Sequence, residues 1–131
     1  MAQKKHLFHF TFTSLCVVLI WYLCLFRPPH IHSLEIIPNF DKYVHCTMYL
    51  GTCSVFWLEY YYWQMSWGRL QRFLIAFLAP ILMSGLIELA QEYLTAYRSG
   101  DWADFAANSM GVVLSLGSML ICKHYFRKRE A

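Results

Sequence analysis

Charge is what this sequence has least of. Only 15% of its 131 residues are Asp, Glu, Lys or Arg, while 58% are hydrophobic. That balance is too apolar for a soluble domain of this size, and the length allows a single domain. Metal-binding cysteine spacing is also missing. Cys16, Cys24, Cys46, Cys53 and Cys122 are odd in number and all fall in apolar stretches, where cysteine acts as a small hydrophobe. Cys24 and Cys46 are the pair close enough to one face to bridge. There is no Gly-x-Ser-x-Gly, no Gly-rich phosphate loop and no paired-histidine zinc-protease helix, so no nucleophile, metal or cofactor is announced. Repeats, low-complexity tracts and features pointing to nucleic acid are absent as well.

What is present is a set of long apolar runs. A membrane-spanning helix needs about 20 such residues, and four fit, over residues 7–26, 44–63, 73–94 and 105–122. Lys4 and Lys5 precede the first run as they would a signal peptide. Arg27-Pro28-Pro29 ends it without an Ala-x-Ala cleavage site, which makes it a retained anchor. Asp41 and Lys42 extend the second helix at its start. Pro80 and Gly85 lie inside the third, which membrane helices tolerate, and Gly111 and Gly117 allow close packing of the fourth. The expected fold is all-α, an integral membrane four-helix bundle.

Orientation follows from basic residues. With a cytoplasmic N-terminus, Lys4, Lys5, Arg69, Arg72, Lys123, Arg127, Lys128 and Arg129 lie inside and only Arg27, Lys42 and Arg98 outside. Both termini are then cytoplasmic. Aromatic belts agree, with Trp57, Tyr60 to Trp63 and Trp67 at the inner interface and Trp21, Tyr22, Tyr93, Tyr97 and Trp102 at the outer one.

Ionisable residues inside such helices are costly and point to function or internal pairing. At 100° per residue, Asp41, His45, Tyr49, Thr52 and Glu59 fall within roughly 80° of one helix face. Ser84, Glu88, Gln91 and Thr95 share roughly 60° of the next, and Asp101, Asp104, Asn108, Ser115 and Ser118 roughly 60° of the last. Depth places Asp41, Lys42, His45, Glu88, Gln91, Arg98, Asp101, Asp104 and Asn108 in one shallow pocket at the outer leaflet. Glu59 lies near the inner face, apart from it. Each residue has a structural alternative. Asp41 and Asp101 are good helix caps, Arg98 can be a solvated loop charge, His45 a satisfied bundle histidine, and Glu88 and Asp104 can pair within the bundle. His30-x-His32 offers metal donors beside His45 only if the loop brings them there. As a site, Lys and Arg would hold a phosphate, His45 or Glu88 would move a proton, Asp104 would orient the histidine and Asn108 would hydrogen-bond a head group.

The same residues form three motifs in order. Asp41-Lys42-x-x-His45-x-x-x-Tyr49, Glu88-x-x-Gln91-x-Tyr93 and Arg98 followed by Asp104-x-x-x-Asn108-x-x-Gly111 resemble those of the VanZ-like family. Together they cover residues 38–118. A second Gly, four residues after the first in many members, is replaced by Ser115, with Gly117 nearby. The loop over residues 27–37 is outside the match.

The family is named for a member linked to teicoplanin resistance, and most members have no established activity. The resemblance implies membership of a wider group proposed to act on phosphate-linked lipids, including phosphatidylserine synthases. It implies a site of His45, Glu88, Arg98, Asp104 and Asn108, with Asp41, Lys42 and Gln91 beside it. The expectation is a multi-pass protein of the bacterial inner membrane acting on a phospholipid or a polyprenyl-linked envelope precursor. The alternatives are a non-catalytic binder of such a precursor and a structural membrane subunit. A transporter fits less well, since the polar residues stop at the outer half.

Overall fold

The computed structural model describes residues 9–26, 37–96 and 99–130, and among these it is all-helical, with four helices and no strand. The helices are α1 (Thr11–Leu25), α2 (Phe40–Tyr62), α3 (Arg69–Leu94) and α4 (Trp102–Glu130). Two of them, α3 and α4, are long and apolar enough to cross a membrane, and α1 is a shorter apolar helix.

Helix ends differ from the ends of the apolar runs, because backbone hydrogen bonding continues past the last hydrophobic residue. α2 begins at Phe40 and so includes Asp41 and Lys42, as expected. α3 begins at Arg69, and α4 runs on through the basic segment that starts at Lys123. α2 closes with a Schellman turn. Met65 N donates to Tyr60 O (3.0 Å) and Gln64 N to Tyr61 O (3.2 Å), with Gln64 at φ 51° where glycine is usual. In α3 the residues Leu74–Leu78 form a π turn just before Pro80. Proline has no N–H and its ring crowds the carbonyl four residues back. A widened turn absorbs that conflict without breaking the helix.

Cross-contacts fix the directions. His45 meets Asn108 and Ser54 meets Ser118, so α2 and α4 run parallel. Glu59 meets Phe12 and Thr13, so α1 is antiparallel to α2. Gln91 meets Cys24, which puts α1 and α3 side by side and parallel. The α2–α4 seam is close because residue 111 is glycine. A Cβ there would collide with the Cys46 carbonyl oxygen and come within 2.9 Å of Leu50 N. Gly117 plays no such part, since a Cβ there meets nothing within 4 Å.

Two apolar clusters fill the interior. One holds Ile20, Cys24, Tyr49, Cys53, Ile87 and Val112. The other holds Phe56, Trp57, Tyr60 and Ala76, with Phe10, Trp67 and Met119 against it. Trp57 and Tyr60 are therefore core residues rather than interfacial ones, because Phe56, Trp57, Tyr60 and Trp67 stack edge to face with one another. Tyr62 and Trp63 remain exposed, in keeping with a belt. All five cysteines are free, Cys24 and Cys46 included.

Glu59 has a specific partner. Its carboxylate accepts from Phe12 N (3.0 Å), Thr13 N (3.0 Å) and Thr13 Oγ1 (2.6 Å). The two backbone N–H groups are orphan donors of the first turn of α1, whose own N-cap position is the uncapping Phe10. A buried acid from α2 thus caps α1 in trans and meets the positive end of its dipole.

Candidate functional site

Because α2 and α4 run parallel and in step, several polar residues of one face a counterpart on the other. Near the end of the bundle where α2 and α4 begin, Lys42 Nζ bonds both Asp101 Oδ2 and Asp104 Oδ1. One turn deeper, His45 Nδ1 lies 3.2 Å from Asn108 Oδ1. Asn108 Nδ2 donates to Ser84 Oγ of α3 at 2.8 Å, which turns the amide oxygen toward the imidazole. His45 Nδ1 is therefore the protonated nitrogen, donating to that oxygen. The other nitrogen, Nε2, faces Asp104 Oδ2 at 3.5 Å and Asp41 Oδ1 at 3.7 Å. His45, Asp104 and Asn108 are buried, while Asp41 is exposed. One donor atom from each of Asp41, His45 and Asp104 lies within 4.8 Å of the others.

α3 holds the third side. Glu88 is buried and its Oε2 accepts from Asp101 N at 2.8 Å. Gly100 N donates to Glu92 Oε2 at 2.7 Å, and a Cβ at Gly100 would approach Glu88 O to 2.7 Å. Two glutamates one turn apart thus latch the chain leading into α4. Asp101 caps that helix, with Oδ1 accepting from Ala103 N at 2.8 Å. The Lys42 ammonium and that N–H hold the Asp101 carboxyl below its usual range. Asp41 is no cap. It lies in the first turn of α2, after Asn39 in the left-handed region.

Of the residues expected in the site, Asp41, Lys42, His45, Asp101, Asp104 and Asn108 form one connected network, with Glu88 joined through the backbone of Asp101. Gln91 turns aside, its Nε2 donating to Cys24 O at 3.0 Å and satisfying a carbonyl of the last turn of α1. Tyr49, one turn below His45, lines an apolar cavity of about 370 Å³ bounded by α1, α2 and the π turn with its proline. Arg98, His30 and His32 lie outside the described residues. Ser84 and Glu92 were not among the expected site residues. Ser84 had a signal, its place on the polar face of α3. Glu92 had none, since it stands off that face.

Comparison of the chain with protein-family models, with curated proteins and with solved structures finds no match. The resemblance to VanZ-like proteins therefore rests on the three motifs.

Proposed function

We propose that this chain is a multi-pass membrane protein that acts on the head group of a phosphate-linked lipid. The observation that carries the reading is a buried imidazole, clamped between an amide and a carboxylate, at one end of a bundle whose outside is apolar. Interior polar residues include His45, Ser84, Glu88, Gln91, Asp104 and Asn108, whereas Leu15, Val18, Leu82, Leu86, Leu114 and Ile121 are exposed. That inversion suits a lipid solvent. In this reading all four helices span the bilayer with both termini cytoplasmic. Arg69, Arg72, Lys123, Arg127 and Lys128 lie at the end opposite His45, which supports a site at the outer leaflet by the positive-inside rule. The VanZ-like motifs suggest a bacterial inner membrane.

The chemistry is cleavage or exchange at phosphorus. An incoming hydroxyl gives its proton to His45 or Glu88 as its oxygen bonds phosphorus, and the departing head-group oxygen takes a proton up. The apolar cavity beside Tyr49 is of a size to accept part of an acyl or prenyl chain.

Internal pairing favours a second reading, a structural subunit. Lys42 already has two carboxylates, and Glu88 already holds a backbone N–H. Mass spectrometry of phospholipids and polyprenyl-linked precursors, incubated with the purified protein, separates the two. The enzyme reading expects a head-group change with wild type that is lost in His45→Ala and Glu88→Gln. Glu88→Gln keeps an oxygen for Asp101 N, so it tests charge rather than the latch. Unchanged lipids with wild type, together with variants that melt early, would leave the structural reading standing.

A further inference from the structure

We infer a second site, at the opposite end of the bundle from His45, that takes the phosphate of an anionic phospholipid. It is a cavity of about 190 Å³ where the later part of α2 meets the start of α3 and the later part of α4, lined by Trp57, Arg69, Arg72, Phe73, Phe77 and Met119. Trp57 lies about 18 Å along α2 from His45 at about 1.5 Å per residue, so the two sites are separate. The polar part of the wall offers donors only. Arg69 and Arg72 carry guanidinium groups with no acceptor, and the Trp57 indole has a single N–H. Trp57 is 1% exposed, and its Nε1 has no hydrogen-bond partner. Nε of Arg72 is likewise buried and without one, although the guanidinium meets the Tyr61 hydroxyl. A buried tryptophan N–H normally finds an acceptor. Two orphan donors in the wall of one cavity call for an acceptor from outside the chain.

Backbone and charge agree. α3 begins here, after Gly68, and no side chain caps it, so its first N–H groups and the positive end of its dipole favour an anion. Among the described residues no carboxylate pairs with Arg69 or Arg72. Glu59 is already spent on the start of α1, and Glu130 lies about 16 Å further along α4 than Met119. Lys123 follows Met119 by one turn and adds positive charge on that face of α4.

The rest of the wall selects among anions. Phe73, Phe77 and Met119 are apolar, and Leu70, Phe73 and Leu74 are exposed on α3 beside them. Cationic donors on one side and hydrocarbon on the other suit a phosphate whose acyl chains lie along the outside of α3, whereas a free phosphate would use the donors alone. A lipid with an amine beside its phosphate brings a cation toward two arginines and meets no carboxylate, so phosphatidylglycerol fits better than phosphatidylcholine. Basic pockets between helices on the cytoplasmic side of a membrane hold anionic head groups in this way. The inference rests on the bilayer placement above and not on the chemistry at His45.

Native mass spectrometry of the detergent-purified full-length protein, titrated with phosphatidylglycerol, phosphatidylcholine or inorganic phosphate, tests the site. The expected result is retention of phosphatidylglycerol over phosphatidylcholine, with inorganic phosphate at the same concentration unable to displace it. Arg69→Gln combined with Arg72→Gln should weaken retention by about tenfold or more. Trp57→Phe keeps an aromatic ring, removes the N–H, and should weaken it about threefold or more. Arg127→Gln combined with Lys128→Gln removes the same charge from the α4 tail, outside the cavity, and should leave retention within about twofold of wild type. An equal loss in that tail variant would assign the binding to diffuse charge and overturn the proposal. So would equal retention of the two lipids, displacement by inorganic phosphate, or undiminished retention in the Arg69 and Arg72 variant. The two proposals fail separately. Retention without head-group turnover keeps this site and removes the chemistry at His45, and turnover without retention does the reverse.

Discussion

Removing the Glu59 carboxylate should undock α1. In Glu59→Ala, Phe12 N, Thr13 N and Thr13 Oγ1 lose their acceptor together. The hydroxyl can turn to a carbonyl of its own helix, which leaves two backbone donors unserved. A buried donor without a partner costs about 1–3 kcal/mol. These bonds are half-buried, so the lower end applies and the expected loss is about 2–3 kcal/mol. At about 3–4 °C per kcal/mol for a chain of this length, the melting temperature should fall by roughly 6–12 °C. Glu59→Gln keeps one acceptor oxygen and should lose about half as much. Differential scanning fluorimetry in detergent gives the first readout. Maleimide labelling gives the second, because Cys24 and Cys53 are both buried in the cluster where α1 packs on α2. Both should become reactive in Glu59→Ala well below its melting point. A Glu59→Ala protein that melts within about 1 °C of wild type, with both thiols still protected, would refute the trans-capping account.

Gly111→Ala should destabilise by about 1–3 kcal/mol or more, since the new methyl meets backbone atoms of Cys46 and Leu50 that cannot turn away. Gly117→Ala, in open space, should be neutral or stabilise by up to about 1 kcal/mol, and equal melting shifts for the two would contradict the close α2–α4 seam. Acid should release the Lys42–Asp101 pair. Because the folded Asp101 carboxyl titrates below its ordinary value of 3.8, its contribution is complete above that value and is lost as pH falls through the lower, folded one. The melting difference between wild type and Asp101→Asn should hold constant from about pH 5 to 8 and fade only in stronger acid. A difference that fades already near pH 6 would assign the pH dependence to another group.

Helical periodicity made much of this arrangement readable. The faces carrying His45 and Tyr49, Ser84 and Glu88, and Asp104 and Asn108 are the ones turned inward, because burying a polar stripe against another is the one way to keep it out of an apolar surround. The capping reading of Asp101 is also met, and that residue pairs with Lys42 besides. What periodicity cannot carry is partnership over distance. Glu59 could be set apart from the pocket, but its cap on a helix 46 and 47 residues earlier depends on how α1 leans against α2. Trp57 and Tyr60 read as interfacial by residue type, yet both are buried in a cluster with Phe56 and Ala76. The π turn before Pro80 leaves no mark in the polar pattern, since the stripe from Ser84 to Thr95 lies wholly beyond it and keeps its own phase.

Distances within the network bear on what it is for. A cluster kept only for packing gains by closing every polar contact, because each buried group that misses its partner costs stability. Most of this network is closed. Asn108 reaches Ser84 at 2.8 Å, Asp101 N reaches Glu88 at 2.8 Å, and Ala103 N reaches Asp101 at 2.8 Å. The imidazole of His45 is held through Asn108 on one side and faces the Lys42-anchored Asp104 on the other. Closed contacts of this kind serve packing and also hold a reacting group still. The lipid assay with His45→Ala and Glu88→Gln, read beside the melting of the same variants, therefore decides between the two readings: turnover lost in variants that melt like wild type marks a site, and early melting without turnover in wild type marks a packing device.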